Sequence, residues 1–224
     1  MNLNGNLARY VSADTANQDW VASPSGTVFR KRVHLVGPAE SGQVTSIVRY
    51  QPGATFPGHE HPDGEEILVL DGVFSDEHGD WPAGTFLLNP EGFSHAPFSK
   101  EGCLLFVKLR QYAGDKREHH AIATNDLDWI EDSQHVASKN LYQSSYYRDT
   151  MKLERWAAAS RLEPRYFPGG AEYFVLEGEF EDENGRYTSG SWLRIPVNAD
   201  HQPYTTDGCT VYIKENGLRY LNSE

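Results

Sequence analysis

Apolar residues along this chain fall in short runs rich in β-branched and aromatic side chains. Thr27–Val33, Gln43–Tyr50 and Glu66–Leu70 are examples, and turn signals close each one: Gln51-Pro-Gly53, Asp71-Gly72, His78-Gly79, Pro82-Ala-Gly84 and Asn89-Pro90. Closely spaced short strands of this kind predict an all-β chain, a sandwich or a barrel. The first half carries no long amphipathic helix. The longest unbroken apolar stretches, Ile67–Leu70 and Cys103–Val107, fall far short of the roughly 18 residues that a membrane-spanning helix needs.

The pattern repeats. Leu68-Val-Leu-Asp-Gly72 returns as Phe174-Val-Leu-Glu-Gly178, an offset of 106 residues. The same offset maps Gly84 to Gly190, Pro90 to Pro196, His95 to His201, Gly102-Cys103 to Gly208-Cys209 and Lys108 to Lys214. Upstream it pairs Arg49-Tyr50 with Arg155-Trp156. A gapless register this long marks a tandem duplication, so two barrels are expected, over residues 1–115 and 116–224. The polar stretch from Gln111 to Asp128 reads as their linker, and the first dozen residues as a loose tail. Met151–Ser160 has helical propensity, but its repeat partner Thr45–Ala54 reads as strand and turn. Propensity is the weaker signal, so a strand is predicted there.

Composition narrows the function classes. Twenty basic against 32 acidic residues leave a net charge of −12; an acidic chain without a basic run repels phosphate backbones, so no nucleic-acid partner is expected. Two cysteines cannot build a disulfide framework or a cysteine-rich zinc module. The start, Met1-Asn-Leu-Asn-Gly-Asn-Leu7, has neither basic nor apolar character, so no signal peptide is expected. The expectation is a cytoplasmic protein with no membrane association.

Candidate chemistry concentrates in the first copy. On a strand, His59 and His61 face the same way, and Glu65 returns on the neighbouring strand after the Pro62-Asp-Gly64 turn. Downstream, Pro90 and Gly92 make a tight turn that aims His95 inward. Three imidazoles and a carboxylate suit a divalent ion such as Zn, Fe, Ni or Mn. Strand alternation favours Glu65 over Glu66, whose counterpart Glu172 persists in the copy without ligands.

At these residues the chain resembles the cupin superfamily. Its two motifs read here as Gly53-x5-His59-x-His61-x3-Glu65-x6-Gly72 and Gly84-x5-Pro90-x-Gly92-x2-His95. The wording Glu65–Gly84, His95-Ala-Pro-Phe-Ser99 and Glu101–Lys108 is similar to the cupin domain of ChrR-type anti-sigma factors. The resemblance implies two tandem cupin barrels (double-stranded β-helices, or jelly rolls) with one metal ion per chain, Zn or Fe foremost, in the mouth of the first. The anti-sigma domain of such factors relies on a His-x3-Cys-x2-Cys zinc pattern; Cys103 and Cys209 are too far apart to supply it.

The second copy has lost the site. The offset carries His59 to Arg165, His61 to Phe167 and Glu65 to Ala171, leaving His201 opposite His95. This barrel reads as structural. Around the first site, Phe56, Phe86, Phe93 and Phe98 are expected to form an apolar lining. Cys103 and Cys209 read as buried small hydrophobes, His78 as a turn residue, His119-His120 as a solvated pair and His201 as a satisfied core group. No catalytic residue is assigned.

Three roles fit a metal-binding bicupin. The first, on the ChrR resemblance, is a sensor or regulator without the anti-sigma domain, responding to a small molecule or oxidant at the metal, with a protein partner or homodimer as its output. The second is a non-haem Fe(II) dioxygenase cleaving diketones or hydroxyketones. The third is a structural barrel stapled by metal. An open coordination position beside an apolar pocket favours the enzyme; a closed tetrahedral zinc favours the others.

Overall fold

Nearly every β-prone run of the sequence is a strand in the computed structural model, which describes residues 2–222. Its contacts divide into two units, one built on Gln18–Asp126 and the other on Asn6–Asn17 with Leu127–Leu221. Among the described residues no helix is long and apolar enough to cross a membrane.

In the first unit the main sheet runs Val28–Val36, Gln43–Tyr50, Cys103–Leu109, Glu65–Asp76, Thr85–Asn89 and His120–Ala123, each antiparallel to its neighbours. Two short pairings complete the barrel: His59–His61 with Phe93–His95, and Ala54–Thr55 with Phe98–Ser99. The second unit has the same order, Val136–Tyr142, Thr150–Trp156, Cys209–Glu215, Ala171–Asp182, Ser191–Ile195 and Val11–Asp14, with Arg165–Phe167 against Ala199–His201. Thr150–Trp156 is a strand that pairs with Cys209–Glu215, as Gln43–Tyr50 pairs with Cys103–Leu109. Sheet context overrides the helical propensity of that segment.

Two expectations need correction. The N-terminal segment is not a loose tail: Val11–Asp14 closes the second unit's sheet against Ser191–Ile195, and Thr15 N–H donates to the Gly190 carbonyl at 3.2 Å. Nor is Gln111–Asp128 a free linker. Gln111 and Tyr112 are buried, and His120–Ala123 closes the first sheet against Thr85–Asn89. The Thr124 N–H donates to the Gly84 carbonyl at 2.8 Å, as Thr15 does to Gly190. The first unit therefore extends to Asp126, past the expected end at 115, and the second takes Asn6–Asn17 in addition to its own half.

Glycine is required where each barrel's long strand bulges. Gly72 has φ +72°, and a Cβ there would lie 2.2 Å from the Gly102 carbonyl oxygen; Gly178 has φ +70° and meets the Gly208 oxygen at the same distance. The pairing register with Cys103–Leu109 shifts beside this contact, and its counterpart in the second unit shifts likewise.

The two cores share most of their positions but differ in volume. Val28, Val48, Tyr50, Ile67, Val69, Phe74, Leu87, Leu105 and Val107 fill the first barrel. In the second, Trp156 stands for Tyr50 and Tyr173 for Ile67, with Phe167 at the His61 position, all in the core. Larger side chains fill in the second barrel the space that the first keeps open. Cys103 and Cys209 are free and buried within these cores, as expected.

Candidate metal centre

The short His59–His61 strand and the Phe93–His95 strand pair so that His59 sits opposite His95. Side chains at i and i+2 share a face, and the ring nitrogens of His59, His61 and His95 all come within 4.8 Å of one another. His61 Nε2 and His95 Nε2 are 3.0 Å apart. Glu65 Oε2 is 3.4 Å from the first and 3.5 Å from the second. Ligand atoms bonded to one ion at about 2.0–2.2 Å lie roughly 3 to 3.5 Å from each other, so this donor set fits a single divalent ion. Glu66, the alternative to Glu65, is buried at a strand position facing the other way.

Protein groups hold the ligands from behind. His95 Nδ1 donates to Asp76 Oδ2 at 3.0 Å, leaving Nε2 toward the cluster. His59 Nδ1 donates to the Pro57 carbonyl at 2.9 Å. Glu65 Oε2 accepts from Asn89 Nδ2 at 2.9 Å, and Asn89 Oδ1 accepts from His119 Nδ1 at 3.0 Å. Such outer partners set the tautomer and aim of metal-ligating side chains. Burial lowers the His61 pKa, which favours the neutral, ligating imidazole. For His95 burial pushes the same way, but the Asp76 hydrogen bond and the Glu65 charge outweigh it and raise the value. Burial pushes the Asp76 carboxyl up, yet bonds from His95, the His78 backbone and Trp81 hold it below the usual carboxylate range.

A cavity of about 350 Å³ adjoins the three histidines. Its walls are inward-facing alternate residues: Val44 and Val48 from one strand, Leu105 and Val107 from the next, and Ile67, with Tyr50, Phe56 and Phe74 nearby. Arg30, Arg32 and Arg110 also line it.

The residue pattern and the fold converge with one comparison. The model of the ChrR cupin-like domain matches residues 8–113 and again 117–219. The chain belongs to this family. No curated protein matches this cupin. Among solved structures it is similar to the "putative dioxygenase" of Nostoc punctiforme, at 16% identity and TM-score 0.74 over 94% of this chain and 84% of that one. It is also similar to protein YlbA of E. coli, at 14% identity and TM-score 0.70 over 94% and 92% of the two chains. A third is a deletion mutant of oxalate decarboxylase from Bacillus subtilis, at 12% identity and TM-score 0.65 over 96% and 78%. At such identities the likeness establishes the fold, two tandem cupin barrels.

The second barrel of this cupin puts other chemistry where the ligands would be. Arg165 donates from Nη1 to both oxygens of buried Glu154 at 2.9 Å, and Glu154 also accepts from Trp156 Nε1 at 2.8 Å. Lys152 Nζ adds an ion pair with Glu154 at 2.9 Å. Phe167 and Ala171 are core residues. His201 is satisfied by protein alone, through Nε2 on Asp182 at 3.0 Å and Nδ1 beside the Tyr173 hydroxyl at 3.4 Å. Tyr10, from the N-terminal segment, donates to Asp182 as well, at 2.5 Å.

Of the four phenylalanines expected in the lining, Phe56 is there. Phe86 is wholly buried and lies on the opposite strand face from core residue Leu87. Phe93 packs edge-on to His95 on the side where His119 stacks on it at 5.0 Å. Phe98 pairs in register with Thr55 and Ser75. His119 is exposed, as a solvated residue is expected to be, and it also supports Asn89, while His78 sits in its hairpin turn with its ring 5.0 Å from Phe93. Asp76 is not singled out by the sequence, Asn89 only as part of a turn and His119 only as half of a solvated pair. The one available signal was Asp182 recurring opposite Asp76 at the repeat offset.

Proposed function

We propose that the first barrel holds one divalent ion through His59, His61, Glu65 and His95, and uses it to bind and oxidise a small chelating molecule with dioxygen. The chemistry is that of a non-haem iron dioxygenase acting on a diketone or hydroxyketone. The observation that carries this reading is the cavity of about 350 Å³ beside the three histidines, which gives a substrate direct approach to the ligand cluster. When bound, the ion supplies Lewis acidity toward a carbonyl or enolate oxygen and, as iron, redox chemistry with dioxygen.

The chain's own residues supply the rest. Asp76 fixes the His95 tautomer, and the His119–Asn89 relay holds the Glu65 carboxylate in place. The aliphatic walls keep bulk water away from the reacting groups. Burial pushes the Tyr50 phenol up, so it faces the cavity as a neutral hydrogen-bond donor. The sensor reading is favoured by the family match to the ChrR cupin-like domain. Oxygen uptake by iron-loaded protein across a panel of diketones and hydroxyketones tests the enzyme. Uptake that disappears in His95→Ala supports it; tight metal-dependent binding without turnover of any member supports the sensor.

A further inference from the structure

The wall of the cavity formed by Val28–Val36 is unlike the others. Alternate residues of that strand face inward, so Val28, Arg30 and Arg32 all line the cavity. Arg30 Nη1 donates to Glu40 at 2.6 Å, and Arg32 Nη2 donates to Glu40 at 3.1 Å and to the Ala39 carbonyl at 3.0 Å. Arg32 Nε is buried and has no hydrogen-bond partner among the described residues. A buried guanidinium N–H left unpaired is rare, because such groups are normally satisfied by protein or by a ligand. The charge around the cavity tells the same story. Of its acidic residues, Glu65 faces the imidazoles, Glu60 is solvent-exposed, and the half-exposed Glu40 is shared between two arginines. A divalent ion at the histidines would leave the lining with excess positive charge.

We infer that the molecule taken by this cavity carries a carboxylate that bonds Arg32, and draws Arg30 from Glu40, while its chelating oxygens face the three histidines. The inference rests on the reading of the first barrel as a metal-dependent small-molecule site and narrows its ligand to an oxo acid. Arg32 acts as a binding and specificity residue. A guanidinium forms charge-assisted, directional bonds to a carboxylate that a neutral ester cannot replace. Glu40 is the internal competitor for the same cations.

The probe is 4,6-dioxoheptanoate, a diketone with a carboxylate at its far end, compared with its methyl ester by calorimetric titration of the full chain. Both are titrated into metal-stripped and zinc-loaded protein, since zinc supports binding without turnover. The acid is expected to bind about 10- to 100-fold more tightly than the ester in both forms. Arg32→Gln should cut that preference about tenfold or more, with ester affinity unchanged. Glu40→Gln should strengthen the acid several-fold and leave the ester alone, which keeps the test sound should Arg32→Gln fail to fold. Equal affinities for acid and ester, or no gain in Glu40→Gln, overturn the inference. Zinc that strengthens neither ligand counts against the metal reading, and the acid-to-ester ratio still decides the role of Arg32.

Discussion

Replacing Glu154 by Gln removes one charge from the centre of the second barrel while keeping its size and an acceptor for Trp156. Glu154 is fully buried, whereas the side chains of its partners Arg165 and Lys152 are each 25% exposed. Leaving a buried charge without its partner costs about 3–5 kcal/mol. Water reaching the two cations offsets part of that, so a loss of about 2–4 kcal/mol is expected. At roughly 4 to 8 °C per kcal/mol for a unit near 100 residues, the midpoint of the second barrel falls by roughly 10 °C or more. Urea unfolding of metal-stripped protein, followed by circular dichroism and tryptophan fluorescence, separates this transition from that of the first barrel. The pH dependence has a definite sign. Burial pushes the Glu154 carboxyl up, but Arg165 and Lys152 outweigh it and hold it below the usual range. A depressed folded value means that the contribution is full above the unfolded value of about 4.3 and is lost as pH falls through the folded one. The gap between wild type and Glu154→Gln should therefore close in acid. Glu154→Val with Arg165→Leu, which imitates the apolar Val48 of the first barrel, should recover most of the stability. A loss below about 1 kcal/mol in Glu154→Gln, or a double variant as weak as the single one, would refute the reasoning that the cost lies in charges left without a partner.

Three further outcomes are expected. Asp76→Asn should weaken metal affinity about 10- to 100-fold in chelator competition while leaving the fold intact, because the His95 aim depends on that carboxylate; unchanged affinity would remove Asp76 from the site. Gly72→Ala should destabilise the first barrel by about 2 kcal/mol or more in thermal melts, since a left-handed φ and a carbonyl oxygen 2.2 Å from the new Cβ both oppose it. Burial pushes the Cys103 thiol up to about 11 and the Cys209 thiol to about 12, so a disulfide reagent at pH 8 should label neither until denaturant is added.

The duplication was the most legible feature, because core positions such as Val69 and Val175 or Phe74 and Phe180 survive at one offset. That register also placed Thr150–Trp156 in a strand against its own propensity. The ligand cluster was equally legible, since His-x-His on a strand and a later histidine after a Pro-x-Gly turn leave few other geometries. What escaped were the closing strands Val11–Asp14 and His120–Ala123. They are only four residues long each and follow a different spacing, with Tyr10 and His119 rather than any 106-residue pair in matching places. Asp76 and Asn89 escaped because a carboxylate in a turn and an amide at a strand end look like ordinary turn chemistry. Arg30 and Arg32 read only as strand residues until their inward register was known. Phe86 and Phe98 lie outside the cavity lining because proximity in sequence to a ligand says nothing about which strand face a ring occupies, whereas Phe93 shares a face with His95 and packs on that ligand.

Metal content is the most direct test of the central claim. Full-length protein purified anaerobically without added metal, and analysed by elemental mass spectrometry beside His61→Ala and His201→Ala, should hold one divalent ion per chain. His61→Ala should lose most of it and His201→Ala should keep it. Two ions per chain, none in protein supplied with zinc or iron, or an ion retained in His61→Ala and lost in His201→Ala would contradict a single site built from His59, His61, Glu65 and His95.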